Sequence, residues 1–86
     1  MASPTFEFTL WLADDPRDLL DWSNALYDAG ADDSHPGVCN GELYATFHRN
    51  AATMEDAIRS ARRQLDSIGL HVTRCEIPEA QLAVWA

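Results

Sequence analysis

Val38-Cys39-Asn40-Gly41-Glu42-Leu43-Tyr44-Ala45-Thr46-Phe47-His48 decides how the middle of this 86-residue chain is read. Asn40-Gly41 is a strong signal for a two-residue hairpin, because both central positions of a type I′ turn need positive φ. After the turn, Leu43, Ala45 and Phe47 alternate with Tyr44, Thr46 and His48, the period-two pattern of a strand with one face on a core. The arm before it, around Asp33 to Cys39, is weaker and belongs at a sheet edge, since Pro36 cannot donate a ladder hydrogen bond. Residues 31–50 therefore read as a hairpin rather than a loop.

Working outward, Phe6, Phe8, Leu10 and Leu12 alternate with Glu7, Thr9 and Trp11, which predicts a first strand. Asp15 as N-cap, Pro16 at the first helical position and Asp18 near the third predict a helix that runs to about Ala29, with Leu19, Trp22, Leu26 and Ala29 on its apolar side and Gly30 as its stop. On the other side of the hairpin, Thr53 with Asp56 resembles a capping box, and Met54, Ile58, Ala61, Leu65 and Ile68 recur at helical spacing up to Gly69. Leu70 to Ile77 reads as a last strand before Pro78. The order β-α-β-β-α-β predicts an α+β, ferredoxin-like fold: a four-stranded antiparallel sheet in spatial order 4-1-3-2 with both helices on one face. The whole chain, 1–86, is expected to be one domain, with 78–86 as a C-terminal tail.

Three stretches, Ala29-Gly30-Ala31-Asp32-Asp33, Phe47-His48-Arg49-Asn50-Ala51 and Glu55-Asp56-Ala57-Ile58-Arg59-Ser60-Ala61, can be read together. They resemble a family of small uncharacterised bacterial proteins, some longer members of which continue into a helix-turn-helix DNA-binding segment. The resemblance covers roughly residues 6–77, no such added segment is expected here, and a fold is implied without an activity.

Fourteen acidic against six basic side chains give a formal charge of −8, and there is no lysine. That balance opposes the cation–phosphate contacts on which nucleic-acid affinity rests, so direct nucleic-acid binding is not expected. No apolar run approaches the roughly 20 residues of a membrane span, and no signal-peptide pattern opens the chain, so the protein is expected in the cytoplasm and away from membranes. In that reducing setting Cys39 and Cys75 are expected to be free thiols on opposite sheet edges.

His35-x-x-x-Cys39 and His71-x-x-x-Cys75 carry metal-ligand types. On strands, however, four residues separate side chains by about 13 Å, too far for one zinc ion, so no metal is expected. The carboxylates fall on helix caps, a helix and a loop rather than in a pair facing a histidine, and each of the four glycines is explained by a turn or a cap. Neither catalytic residue nor cofactor is expected.

The most distinctive feature is charge asymmetry. Residues 14–33 hold seven acids and one base, a net charge of −6, whereas residues 49–74 carry a net +2. The expected function is a non-enzymatic, acidic protein-interaction module with a regulatory or inhibitory role, its partner-binding patch formed by Asp14, Asp18, Asp21, Asp28, Asp32 and Asp33. Trp11, Tyr44, Thr46 and His48 are expected on the open sheet face, where a homodimer would cover them. The alternatives are a small-molecule-sensing dimeric domain, by fold analogy, and a phage- or antitoxin-like DNA mimic that blocks a nucleic-acid-binding protein.

Overall fold

Asn40 and Gly41 adopt φ of +53° and +80°, the two left-handed positions that their turn requires. The turn joins β2 (Ser34–Cys39) to β3 (Glu42–Asn50) with Cys39 opposite Glu42. The other elements are β1 (Thr5–Leu12), α1 (Leu19–Asp28), α2 (Met54–Ser67) and β4 (Val72–Glu76). This computed structural model describes residues 4–78, so the tail beyond Pro78, with Trp85, lies outside the described residues.

All strand pairs are antiparallel, and the sheet order is β2-β3-β1-β4. Alternation sets the two faces. Phe6, Phe8, Leu10 and Leu12 of β1 are buried, and across the β1–β3 register Phe8 meets Phe47 and Leu10 meets Ala45. The Phe8 and Phe47 rings stack with centroids 5.5 Å apart. Trp22 and Leu26 from α1, and Met54, Ala57, Ala61 and Leu65 from α2, join this same cluster, so both helices cover one face.

The first helix begins three residues later than its sequence pattern predicts. The Asp15 carboxylate is taken by Arg17, accepting from its backbone N–H at 2.9 Å and from its guanidinium at 2.8 and 3.0 Å. Asp18 is the actual N-cap, accepting from the Asp21 N–H at 2.9 Å. Leu19, the first residue of the helix, is 42% exposed, beside fully buried Trp22 and Leu26. The second helix starts where expected, with Thr53 Oγ1 accepting from the Asp56 N–H at 3.1 Å. Its buried stripe is slightly rotated: Ala57 is fully buried, whereas Ile58 and Ile68 pack at the margin.

Candidate functional site

The register places Trp11, Tyr44, Thr46 and His48 on the sheet face opposite the helices, with Trp11 across from Tyr44, Thr9 from Thr46 and Glu7 from His48. Trp11, Tyr44 and Thr46 are half-buried there by their neighbours. Thr9 and Thr46 share a hydroxyl hydrogen bond of 2.8 Å. The Trp11 and Tyr44 ring centroids lie 5.3 Å apart, and the Arg74 guanidinium sits 4.4 Å from the Trp11 centroid. The Trp11 indole N–H donates to Glu76 at 3.0 Å, and Arg74 donates to Glu42 at 2.7 Å. Tyr44 in turn lies across buried Gly37 of β2, where a Cβ would strike its ring. The aromatic pair is thus largely engaged by its own chain. His48 remains exposed, 3.2 Å from Glu7 and edge-on to His35.

At the other end of the hairpin, Arg49 points to the helix side and donates to both oxygens of Asp33 at 2.7 and 2.8 Å, to Gln64 and to Ser60. The guanidinium beside Asp33 holds its carboxyl below the usual carboxylate range. A shallow, polar groove of about 370 Å³ opens next to this pair, between Asp32, His48 and Asn50. The Arg49 guanidinium in its lining is already neutralised by Asp33, which leaves the groove poorly equipped to hold an anion.

The acids sort into two groups. Asp33 is bound to Arg49 and Asp15 to Arg17, whose guanidinium and N–H push the Asp15 carboxyl down to about 2. Asp14, Asp18, Asp21, Asp28 and Asp32 are exposed, with Asp18 engaged as the helix cap. The basic residues of α2 are more fully offset, since Arg59 pairs with Glu55 and Arg62 approaches Asp66 at 4.0 Å.

The acids of α1 lie beside a feature that the core pattern did not reveal. Among the described residues the large exposed hydrophobics are Leu19 (42%), Leu20 (68%), Tyr27 (67%) and Val38 (48%), and all four sit on α1 or on β2, against which α1 packs. Leu20 and Tyr27 are seven residues apart, and so are Asp21 and Asp28. Two turns of helix place each pair in one row, and the one-residue offset sets the rows about 100° apart. An apolar row therefore runs alongside an acidic one. The i, i+7 spacing of Leu20 and Tyr27 was visible in the sequence, masked by the stronger Trp22–Leu26 stripe.

Among the described residues no helix is long and apolar enough to cross a membrane, and no group of three or more metal-ligating side chains converges. Comparison with protein-family profiles, curated proteins and solved structures finds no match.

Proposed function

We propose that this protein is a non-enzymatic interaction module of ferredoxin-like architecture that docks a basic partner protein through the outer surface of α1. The observation that carries this reading is the pair of parallel rows on α1, Leu20–Tyr27 and Asp21–Asp28. Exposed acids alone are an ordinary solvated surface, and exposed leucines alone need no explanation. Side by side they match a basic amphipathic surface: the carboxylates steer and orient the partner, while Leu20 and Tyr27 provide the apolar contact that slows its release. The β-α-β-β-α-β element order and the β2-β3-β1-β4 sheet support the ferredoxin-like assignment. Two free cysteines fit a cytoplasmic setting.

The apolar row also favours a protein-binding groove over a nucleic-acid-binding surface as the partner's contact, because a site built for phosphates has no use for Leu20 and Tyr27. The small-molecule-sensing reading finds support in the 370 Å³ groove beside Arg49, yet the Asp33 carboxylate already satisfies that arginine.

The test uses a designed helical peptide with leucines on one face and arginines on the other. The unaltered protein is expected to bind it with an affinity that falls as salt is added, and Leu20→Ser/Tyr27→Ser is expected to weaken binding at least about tenfold. Reversal of Arg63 on α2 should change nothing. Equal binding by the Leu20→Ser/Tyr27→Ser variant would remove α1 as the site.

A further inference from the structure

β2 and β4 close the two edges of the sheet, and their outward backbone groups differ. The Ala13 N–H donates to the His71 carbonyl, and the Pro4 carbonyl accepts from the Ala51 N–H. Along β1, odd residues therefore turn their main-chain groups toward β4 and even residues toward β3. Cys75 lies opposite Leu10, an even residue, so its own N–H and C=O face outward. On β2, the His48 N–H donates to the Asp33 carbonyl, which leaves Ser34, Pro36 and Val38 facing outward. The Ser34 N–H is already bonded to the Ala31 carbonyl, and Pro36 has none. Among the described residues the β2 edge is blunted and the β4 edge is not.

The side chains of β4 also alternate in charge around Cys75, with Arg74 before it and Glu76 after it. Both point to the open sheet face and are held in place over Trp11, Arg74 by stacking on the indole and donating to Glu42 at 2.7 Å, and Glu76 by accepting the indole N–H. We propose that β4 pairs antiparallel with β4 of a second copy of this chain, on a twofold axis through Cys75. That register is the one in which each Arg74 lies directly opposite Glu76 of the other copy. Both such pairs fall at non-hydrogen-bonded positions, where opposed side chains come closest, and the two Cys75 residues exchange main-chain hydrogen bonds at the centre. Any register in which Arg74 met Arg74, or Glu76 met Glu76, would set like charges face to face.

The contact is short, because Thr73 forms a bulge that ends regular pairing between Trp11 and Leu12. The dimer is accordingly a weak one. Its geometry leaves both α1 surfaces free at the far ends of a continuous eight-stranded sheet, so a dimer would present two copies of the acidic row. The strand pairing itself does not depend on the docking role given to α1.

Opposed Cys75 residues at the centre would have Cα atoms about 5.5 Å apart, within reach of a disulfide, which provides a reporter. The full chain is exposed to a mild oxidant, and its oligomeric state under reducing conditions is measured by sedimentation. Cys39→Ser is expected to form a covalent dimer through Cys75, and Cys75→Ser none. Arg74→Glu and Glu76→Arg should each lower both cross-linking and self-association several-fold, and Arg74→Glu/Glu76→Arg should restore them by re-forming the opposed pairs. Glu42→Gln, which removes the internal carboxylate partner of Arg74 and leaves its stacking on Trp11, should behave as the unaltered chain. A strictly monomeric chain, a cross-link through Cys39, or a charge swap that fails to recover association would each overturn the proposal.

Discussion

Arg49 on β3 grips Asp33, sixteen residues earlier, with two parallel hydrogen bonds, Nε to Oδ2 at 2.7 Å and Nη2 to Oδ1 at 2.8 Å. The same guanidinium reaches Ser60 and Gln64 on α2 and lies over the Phe47 ring at 5.0 Å. One side chain therefore ties the entry to β2, the end of β3 and the second helix together. With Arg49 12% and Asp33 25% exposed, the pair is shielded enough for its geometry to count toward stability.

Arg49→Ala is expected to destabilise the protein by about 2–4 kcal/mol, because it strands a partly buried carboxylate and unties α2. Arg49→Lys should lose most of the same amount, since an ammonium cannot reproduce the two-pronged contact. Asp33→Asn, which keeps the shape and removes the charge, should lose only about 1–2 kcal/mol. Urea unfolding measures all three. Equal stability of Arg49→Ala and the parent would show that the pair does not contribute.

Acid should expose the same bond. The Asp33 carboxyl is held below its unfolded value by Arg49, so the unfolded chain binds the proton first. The stabilisation is complete above the unfolded value of about 4 and is lost as the pH falls through the lowered folded value. Asp15, pushed down to about 2 by Arg17, acts in the same direction. Stability is thus expected to fall between about pH 4 and pH 2, more gently in Asp33→Asn than in the parent. Parallel acid limbs would contradict the coupling.

Gly37→Ala tests the packing of the open face. A Cβ there would collide with the Tyr44 ring, which would have to swing off Gly37 and away from Trp11. A loss of about 1–3 kcal/mol is expected, with a change in tryptophan fluorescence. In a Tyr44→Ala background the same change should be nearly neutral, and a double-mutant cycle reads the difference. An equal loss in both backgrounds would place the strain elsewhere.

Both sheet faces were legible because period-two alternation in β1 and β3 puts Phe8, Leu10, Ala45 and Phe47 on the core, whereas the order of the strands came from the element order and the handedness of its crossovers. The Asn40-Gly41 turn then fixed which residues of β2 met β3. The start of α1 was not legible. Asp15 and Asp18 are both good caps by type, and the choice between them was made by Arg17, which satisfies Asp15 from outside the helix. The free acids could not be separated from the paired ones for a related reason. Asp32 and Asp33 are adjacent and alike in sequence, and only the direction of Arg49 distinguishes them. The apolar row on α1 was hidden by incomplete burial: Leu19 was assigned to the core stripe, and Leu20 and Tyr27 flank it.

The placement of Asp18 also changes how the α1 surface must be tested. Its side chain caps the helix, so altering it would mix lost binding with about 1 kcal/mol of lost stability. The informative set is Asp14→Asn, Asp21→Asn and Asp28→Asn together, which should leave stability within about 0.5 kcal/mol of the parent because all three are exposed. With the arginine–leucine peptide as partner, this variant should associate more slowly, and the rate for the parent should fall as salt shortens the screening length to about 8 Å at physiological strength. Leu20→Ser/Tyr27→Ser should instead raise the dissociation rate and leave the association rate near the parent's, since contact area acts after encounter. Rapid-mixing kinetics at low and high salt separate the two effects. An association rate indifferent to both salt and the three carboxylates would show that the acidic row does not steer a partner.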